Sequence, residues 1–219
     1  MSLRAQNVAV AIGGRTILPP VSLSCDPGRL TALIGPSGSG KTTLLHCLGL
    51  LQRPTAGRII VDGEDATEWS GRRRRRFWAE DAGFVLQDYG LIDEDSVAAN
   101  VTMRTSLLRG RPLGDADRVA EVLALTGLDG RQADPVVQLS GGEKQRLGVA
   151  RALYRRSRFL FVDEPTASLD AENRRLISGL LRLACERGAT VVVATHDEEL
   201  ATVADVTLAL GTLPEEESA

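Results

Sequence analysis

The sequence of 219 residues contains very little lysine: Lys41 and Lys144 stand beside 24 arginines. A chain that otherwise uses arginine for its positive charges keeps lysine at two positions, which indicates a specific task for an ammonium group. The inference is stronger for Lys41, because nothing in the sequence around Lys144 demands a lysine.

Long apolar runs are also missing, and no stretch approaches the eighteen or so residues that span a bilayer. Residues 1–10 include Arg4, Gln6 and Asn7 and lack the apolar core of a signal peptide. We therefore predict a protein at the cytoplasmic face of the cell membrane, attached peripherally through a partner chain.

Cysteine is limited to Cys25, Cys47 and Cys185, which are odd in number, far apart and without metal-ligand spacing. We expect reduced and mostly buried thiols.

The net charge of −3 gives no sign of nucleic-acid binding. Five consecutive arginines at 72–76 are predicted to form an exposed helix whose end, Phe77 and Trp78, packs inward.

Short apolar segments alternate with helical patterns, which is typical of an α/β protein with a parallel sheet covered on both faces. Strands are predicted at 30–34, 58–61, 83–86, 159–162, 190–194 and 206–210, and helices at 41–51, 114–126, 142–154, 171–186 and 197–203. The alternating start of the chain indicates antiparallel edge strands. Residues 214–219 are predicted to be a solvated tail.

No convincing strand occurs between residues 88 and 155, so this stretch is predicted to be a helical insertion. We accordingly predict one domain over 1–219, with a core and β subdomain in 1–87 and 156–219 and a helical subdomain in 88–155.

Residues 35–42 match the phosphate-binding P-loop pattern at every fixed position, between a predicted strand and a predicted helix. Glycines let the backbone N–H groups point inward, and the helix adds its positive end. Lys41 supplies charge near the β- and γ-phosphates, and the Thr42 hydroxyl suits Mg²⁺. The predicted ATP-binding residues are Gly35, Pro36, Ser37, Gly38, Ser39, Gly40, Lys41, Thr42 and Thr43.

Two adjacent carboxylates follow an apolar strand, at Asp163 and Glu164. Ligands bind at the carboxyl ends of parallel strands in open α/β sheets. Asp163 is predicted to hold Mg²⁺, and Glu164 to be the general base that polarises the attacking water.

Residues 139–146, Leu-Ser-Gly-Gly-Glu-Lys-Gln-Arg, place a serine and two glycines before a helical pattern, which makes a second anion site at a helix start. Together with the P-loop, this string resembles the signature motif of ABC ATPases. Gln87 resembles the Q-loop glutamine, residues 168–170 the D-loop, and His196 the switch histidine. The resemblance extends over essentially the whole chain, in the order and spacing of the family.

The resemblance implies a P-loop NTPase (RecA-like) core with an antiparallel β edge subdomain and an inserted helical subdomain. It also implies a head-to-tail homodimer with ATP between the P-loop of one copy and the signature of the other. The partner's contacts to ATP would come from Ser140, Gly141, Gly142, Glu143 and Asp170. The implied catalytic residues are Glu164, His196 and Gln87, and the implied Mg²⁺ ligands are Thr42, Gln87 and Asp163.

The family usually has an aromatic residue that stacks on adenine, and the alignment of residues 13–15 places Ile12 there. Isoleucine packs on a base without π-stacking, a loss of about 1 kcal/mol. We therefore predict that GTP competes better with ATP here than in relatives with tyrosine.

Residues 85–100 are similar to the corresponding region of macrolide exporters, lipoprotein-releasing systems and bacteriocin exporters, and residues 89–92 lean towards the bacteriocin type. This implies a transmembrane permease partner that docks near 87–100, and export or extraction of a peptide, lipoprotein or drug. A regulatory switch that acts through a membrane partner on cell-wall hydrolases is the alternative. A nucleic-acid ATPase, based on residues 72–76, is the weakest hypothesis.

Overall fold

The computed structural model describes residues 2–88, 90–103, 114–167 and 169–211. The predicted tail at 214–219, Tyr89 and Ser168 lie outside these ranges. None of the helices in the described ranges combines the length and apolar character that a bilayer span requires.

Nine strands form two sheets in the described part of the chain, one antiparallel and one parallel. The antiparallel sheet has the order β2-β1-β4-β5, and the parallel sheet has the order β6-β7-β8-β3-β9. The strands are β1 (Leu3–Ile12), β2 (Arg15–Cys25), β3 (Leu30–Ile34), β4 (Ala56–Val61), β5 (Glu64–Asp65), β6 (Ala82–Val85), β7 (Phe159–Asp163), β8 (Thr190–Thr195) and β9 (Val206–Ala209).

Seven α-helices connect and cover these strands in the described ranges. They are α1 (Lys41–Leu48), α2 (Gly71–Glu80), α3 (Val97–Thr102), α4 (Ala116–Leu125), α5 (Gly141–Arg155), α6 (Ala171–Glu186) and α7 (Glu198–Thr202). The predicted α/β class with a parallel sheet, an antiparallel sheet and helices is confirmed.

One predicted strand belongs to a different sheet from the expected parallel one. The segment around Arg58–Val61 belongs to the antiparallel sheet, where Ala5 pairs with Ile59 and Leu3 with Val61. Its apolar run Ile-Ile-Val suggested burial on both faces, whereas Ile60 is only half-buried. Because apolar runs do not report strand direction, only pairing with β1 decided the sheet.

Two buried clusters lie on the two sides of the parallel sheet. One includes Leu147, Val149 and Leu181 from α5 and α6, and the other includes Leu44 and Leu48 from α1. The three cysteines are free and buried, as predicted. Desolvation raises the pKa of the Cys25 thiol to about 12, so this thiol stays protonated and unreactive.

Residues 88–155 contain no strand in their described part beyond an isolated bridge between Ser96 and Pro135. Helix α5 contacts α3, α4 and α6 and also β6 of the parallel sheet. The helical insertion thus rests on the same sheet whose carboxyl edge carries the P-loop.

Candidate functional site

The P-loop connects β3 to α1 through a backbone path that requires glycine. Gly35, Gly38 and Gly40 have φ angles of 149°, 81° and 90°. A Cβ at Gly35 would lie 2.3 Å from the carbonyl oxygen of Leu210, and one at Gly40 would lie 2.8 Å from that of Ile17. A side chain is therefore excluded at Gly35 and Gly40 by both torsion and contact, and disfavoured at Gly38 by torsion alone.

The ammonium of Lys41 lies inside the loop. Its Nζ donates to the carbonyl oxygens of Gly35 (2.8 Å) and Pro36 (3.1 Å) and lies 3.9 Å from Oε1 of Glu164. The side chain is only 7% exposed, so its charge is directed into the loop rather than to solvent. An anion that enters the loop meets a desolvated positive charge.

Two polar features of the loop are left unsatisfied within the described residues. Helix α1 begins after Gly40 without a side-chain cap, so its first N–H groups remain free. The hydroxyl of Ser39 is buried and has no hydrogen-bond partner. Phosphate oxygens would satisfy both, and the loop therefore fits the triphosphate of ATP.

Asp163 ends β7 beside the first turn of α1. Its Oδ1 accepts a hydrogen bond from the Thr42 hydroxyl at 3.1 Å, and its side chain is buried. Burial raises the pKa of this carboxyl, although the bond from Thr42 opposes the shift. Two oxygen ligands side by side near a phosphate loop fit Mg²⁺, a hard cation.

Glu164 follows β7 in a left-handed backbone conformation with a φ of 47°, which is uncommon for a residue with a side chain. Its Oε2 lies 2.8 Å from Nδ1 of His196 and 3.3 Å from the His196 backbone nitrogen. Because β7 and β8 are parallel neighbours, their carboxyl ends bring these two side chains together. Lys41 and His196 thus fix the position of this carboxylate at the edge of the P-loop.

Gln87 lies two residues beyond β6, which pairs in parallel with β7. It is therefore at the same edge of the sheet as Asp163, and its side chain is exposed.

Ile12 ends β1, pairs with Arg15 across the hairpin and is 61% exposed. An exposed apolar side chain at this position is free to contact a base.

The signature forms the start of α5 and satisfies its own hydrogen bonds. The Ser140 hydroxyl accepts from the Glu143 backbone nitrogen, and the Ser140 nitrogen donates to Oε2 of Glu143 at 2.8 Å. Arg131 donates to Oε1 of the same carboxylate at 2.8 Å. These bonds, the one from the Ser140 backbone first, lower the pKa of Glu143. A direct contact from Glu143 to ATP stays a prediction.

The predicted D-loop lies beside the signature. Asp170 caps α6 by accepting from the Asn173 nitrogen at 2.8 Å, and this bond lowers the pKa of Asp170. Leu169 packs close to Gly142. The structure thus gathers residues 35–43, 163–164 and 196 in one cluster and residues 140–143 and 169–170 in another.

The sequence did not predict a connection between the segment after Gln87 and the signature. Lys144 donates to Oδ1 of Asp93 at 2.8 Å, and the Asp93 carbonyl accepts from the Val137 nitrogen. The Asp95 carbonyl accepts from Val136 in the same way. The scarcity of lysine drew attention to position 144. It could not identify Asp93 as the partner, because Asp93 lies 51 residues away in the sequence.

Comparison with known proteins agrees with this geometry. Residues 18–167 match the family described as ABC transporter. The chain is 41% identical over 200 residues to a lipoprotein-releasing system ATP-binding protein, LolD 2, of Caulobacter vibrioides, covering 90% of this chain and 87% of that one. It is 39% identical to the sulfate/thiosulfate import ATP-binding protein CysA of Synechocystis over 91% of this chain and 55% of that one.

Two solved structures of the bacterial ABC transporter cassette MJ0796 are also similar. One is dimeric and matches with a TM-score of 0.84 and 31% identity, over 95% of this chain and 94% of that one. The other is a dimeric post-hydrolysis state bound to ADP and Pi, with a TM-score of 0.83 and 31% identity, over the same shares of the two chains. The family match extends over more than half of the chain, the LolD 2 relative is 41% identical over 90% of it, and the loop after β3, the acids after β7 and the signature helix α5 agree with both. The chain therefore belongs to the ABC transporter family and is an ATPase.

Proposed function

We propose that the chain works as a head-to-tail homodimer that binds two ATP, each with Mg²⁺, between the P-loop cluster of one copy and the signature of its partner. The observation that carries the proposal is the separation of the two clusters. Among the described residues, no hydrogen bond or ion pair joins 35–43 to 139–143. The signature serine is exposed, so a second copy is needed to bring it to the phosphates.

We assign the roles of the residues from their positions together with the family resemblance. Lys41 and the free N–H groups of α1 bind the phosphates, while Thr42, Asp163 and Gln87 hold Mg²⁺. The ion, when bound, neutralises charge between the β- and γ-phosphates. Glu164 accepts the proton of the attacking water, and His196 holds the Glu164 carboxylate and contacts the γ-phosphate.

Complementation between two inactive variants tests the composite site. Lys41→Ala removes the P-loop charge, and Ser140→Arg places a bulky cation at the signature. A mixed dimer keeps one intact site, because each variant supplies what the other lacks. An equimolar mixture of the two is expected to recover about a quarter of the wild-type ATPase rate if subunits pair at random and sites act independently.

Each variant alone serves as the control and should be nearly inactive. The chain that carries both substitutions, mixed with wild type, should form no active mixed dimers, since each of their two sites contains one defect. Melting curves show whether each variant is folded. No recovery on mixing two folded variants that form mixed dimers would contradict a site shared between chains.

For the wider system, we propose that the dimer drives a conformational change in a transmembrane permease from the cytoplasmic face of the membrane. The lipoprotein-releasing relatives favour extraction of a lipoprotein. The proposed docking surface is a groove of about 470 Å³ between the core and the helical insertion, and its lining in the described part of the chain includes none of the residues 87–100 near which the sequence predicts docking. It is lined by Ala79, Glu80, Thr102, Met103, Arg118, Tyr154 and Arg155.

The side chain of Met103, at the edge of this groove, is 55% exposed, and that of Ile92 is 50% exposed. Of these two residues only Met103 lines the groove, whereas Ile92 lies in the segment 87–100 near which docking is predicted. Adjacent exposed apolar side chains are typical of protein–protein contacts. Co-purification of the chain with its permease, and its loss in a Met103→Asp and Ile92→Asp variant that still hydrolyses ATP, would support the assignment. A variant that still co-purifies at the wild-type level would contradict it.

A further inference from the structure

The run of five arginines in α2 takes no part in the ATP site. Helix α2 is anchored by Phe77, which is buried, and by the Trp78 indole, which donates to the Gly49 carbonyl at 2.9 Å. This anchoring turns Arg74 partly inward. It leaves the other four arginines of the run exposed: Arg72, Arg73, Arg75 and Arg76.

Two of the exposed arginines are paired within the chain. Arg73 hydrogen-bonds to Glu64, and Arg76 to Glu80 at 2.8 Å. Arg72 and Arg75 have no carboxylate within 4 Å among the residues that the structure describes. They are three residues apart on the helix and therefore lie on the same face.

Apart from the Arg76–Glu80 pair, this charge pattern does not stabilise the helix that carries it. The first turn of α2 contains no acidic residue, and arginines there oppose the positive end of the helix dipole. Like charges three and four residues apart also repel one another. An anionic partner outside the chain would offset this repulsion.

The position of α2 indicates which partner this is. Its last residues, Ala79 and Glu80, line the groove proposed above as the permease docking surface. The inference rests on the proposed function in this one respect: a permease docked in that groove would bring α2 towards the membrane that contains it. We propose that Arg72 and Arg75 bind the anionic headgroups of phospholipids at the membrane surface and so orient the ATPase, whose net charge is −3.

Binding to vesicles without any permease tests this inference. The full chain is sedimented with vesicles of phosphatidylcholine alone or phosphatidylcholine mixed with phosphatidylglycerol. We expect binding to the anionic vesicles only, weakened by high salt. Arg72→Ala with Arg75→Ala should reduce the partition coefficient by roughly fivefold for each arginine removed.

Two matched double variants distinguish vesicle binding by this local surface from a general effect of net charge. Arg29→Ala with Arg175→Ala makes the same change in net charge at exposed positions elsewhere and should bind as wild type. Arg72→Lys with Arg75→Lys should also retain binding, because headgroup attraction needs charge rather than a guanidinium. The ATPase rate should be unchanged in all of them.

Equal binding to both kinds of vesicle, or equal loss in the Arg29 and Arg175 variant, would overturn the inference. So would loss of binding to double-stranded DNA in the Arg72 and Arg75 variant with vesicle binding intact, since that result assigns the surface to nucleic acid. Because no permease is present, these outcomes are independent of the complementation test of the composite site.

Discussion

The P-loop cluster and the signature differ in how their polar groups are satisfied within one chain. In the P-loop, the Ser39 hydroxyl and the first N–H groups of α1 have no hydrogen-bond partner among the described residues, and Lys41 donates to the loop's own carbonyls. In the signature, Ser140 and Glu143 bond to each other and Arg131 holds the carboxylate. The first region therefore has free binding capacity for phosphate, whereas the second is a stable helix start that must be brought to a ligand.

This difference indicates a division of labour. The P-loop cluster supplies affinity from buried charge, and the signature supplies a rigid, exposed surface whose contribution depends on a second copy. Substitutions in the first region should therefore change ATP binding or chemistry directly, and those near the second should change ATP-dependent pairing.

The largest effect is expected from Glu164→Gln. Loss of the general base should lower the ATPase rate by roughly 10²- to 10⁴-fold, while the P-loop still binds ATP. The variant should accumulate as an ATP-bound dimer, measured by light scattering after gel filtration. Glu186→Gln, at an exposed position on α6, is the matched control. A Glu164 variant that hydrolyses ATP near the wild-type rate would remove this residue from its role.

Asp163→Asn should separate function from stability. Burial raises the pKa of the Asp163 carboxyl, so the folded state disfavours its ionised form, and the penalty is fully present above the carboxyl pKa of the folded chain. Asparagine keeps an acceptor for Thr42 without that charge. The melting temperature without nucleotide should rise, by roughly 2–4 °C for each kcal/mol recovered, while Mg²⁺-dependent hydrolysis is lost.

The stability difference has a defined pH dependence. As the pH falls below the carboxyl pKa of the unfolded chain, Asp163 is protonated in both states and the advantage of asparagine should disappear. An asparagine variant that melts below wild type at pH 7 would show that the carboxylate stabilises the fold instead.

Ile12→Tyr should have a moderate effect on nucleotide affinity, through contact with the base alone. Stacking of about 1 kcal/mol corresponds to roughly fivefold tighter ATP binding and a greater preference for ATP over GTP. Competition of GTP against a fluorescent ATP analogue measures both values, with Ile12→Leu as the control. An unchanged ratio of ATP to GTP affinity would exclude Ile12 from the base-binding position.

The smallest effect is expected from the Asp93–Lys144 pair, which connects the segment after Gln87 to the signature helix. The pair is partly exposed, and such bridges contribute about 0–1 kcal/mol. Asp93→Asn or Lys144→Gln should raise the ATP concentration needed for dimerisation by up to about fivefold. The exchange Asp93→Lys with Lys144→Asp should restore it; a swap as weak as the single variants would contradict the pairing.

Local sequence patterns predicted the helices whose starts are marked by capping residues and whose length shows a helical period. Helices α5 and α6 lie within one residue of their predicted bounds, because capping by Ser140 and Asp170 marks their starts. Helix α1 was predicted three residues too long, since Gly49 and the left-handed Leu50 end it. Helix α3 was not predicted, because its six residues are too few to show a helical period.

The sequence by itself determined the P-loop, the two acids and the signature, since each is encoded by neighbouring residues whose chemistry is local. The tertiary structure alone decided that β4 joins the antiparallel sheet, that His196 meets Glu164 and that Lys144 meets Asp93. These contacts join residues between 32 and 58 positions apart. Contacts between residues so far apart in the sequence are set by strand order and helix packing, which no local pattern records.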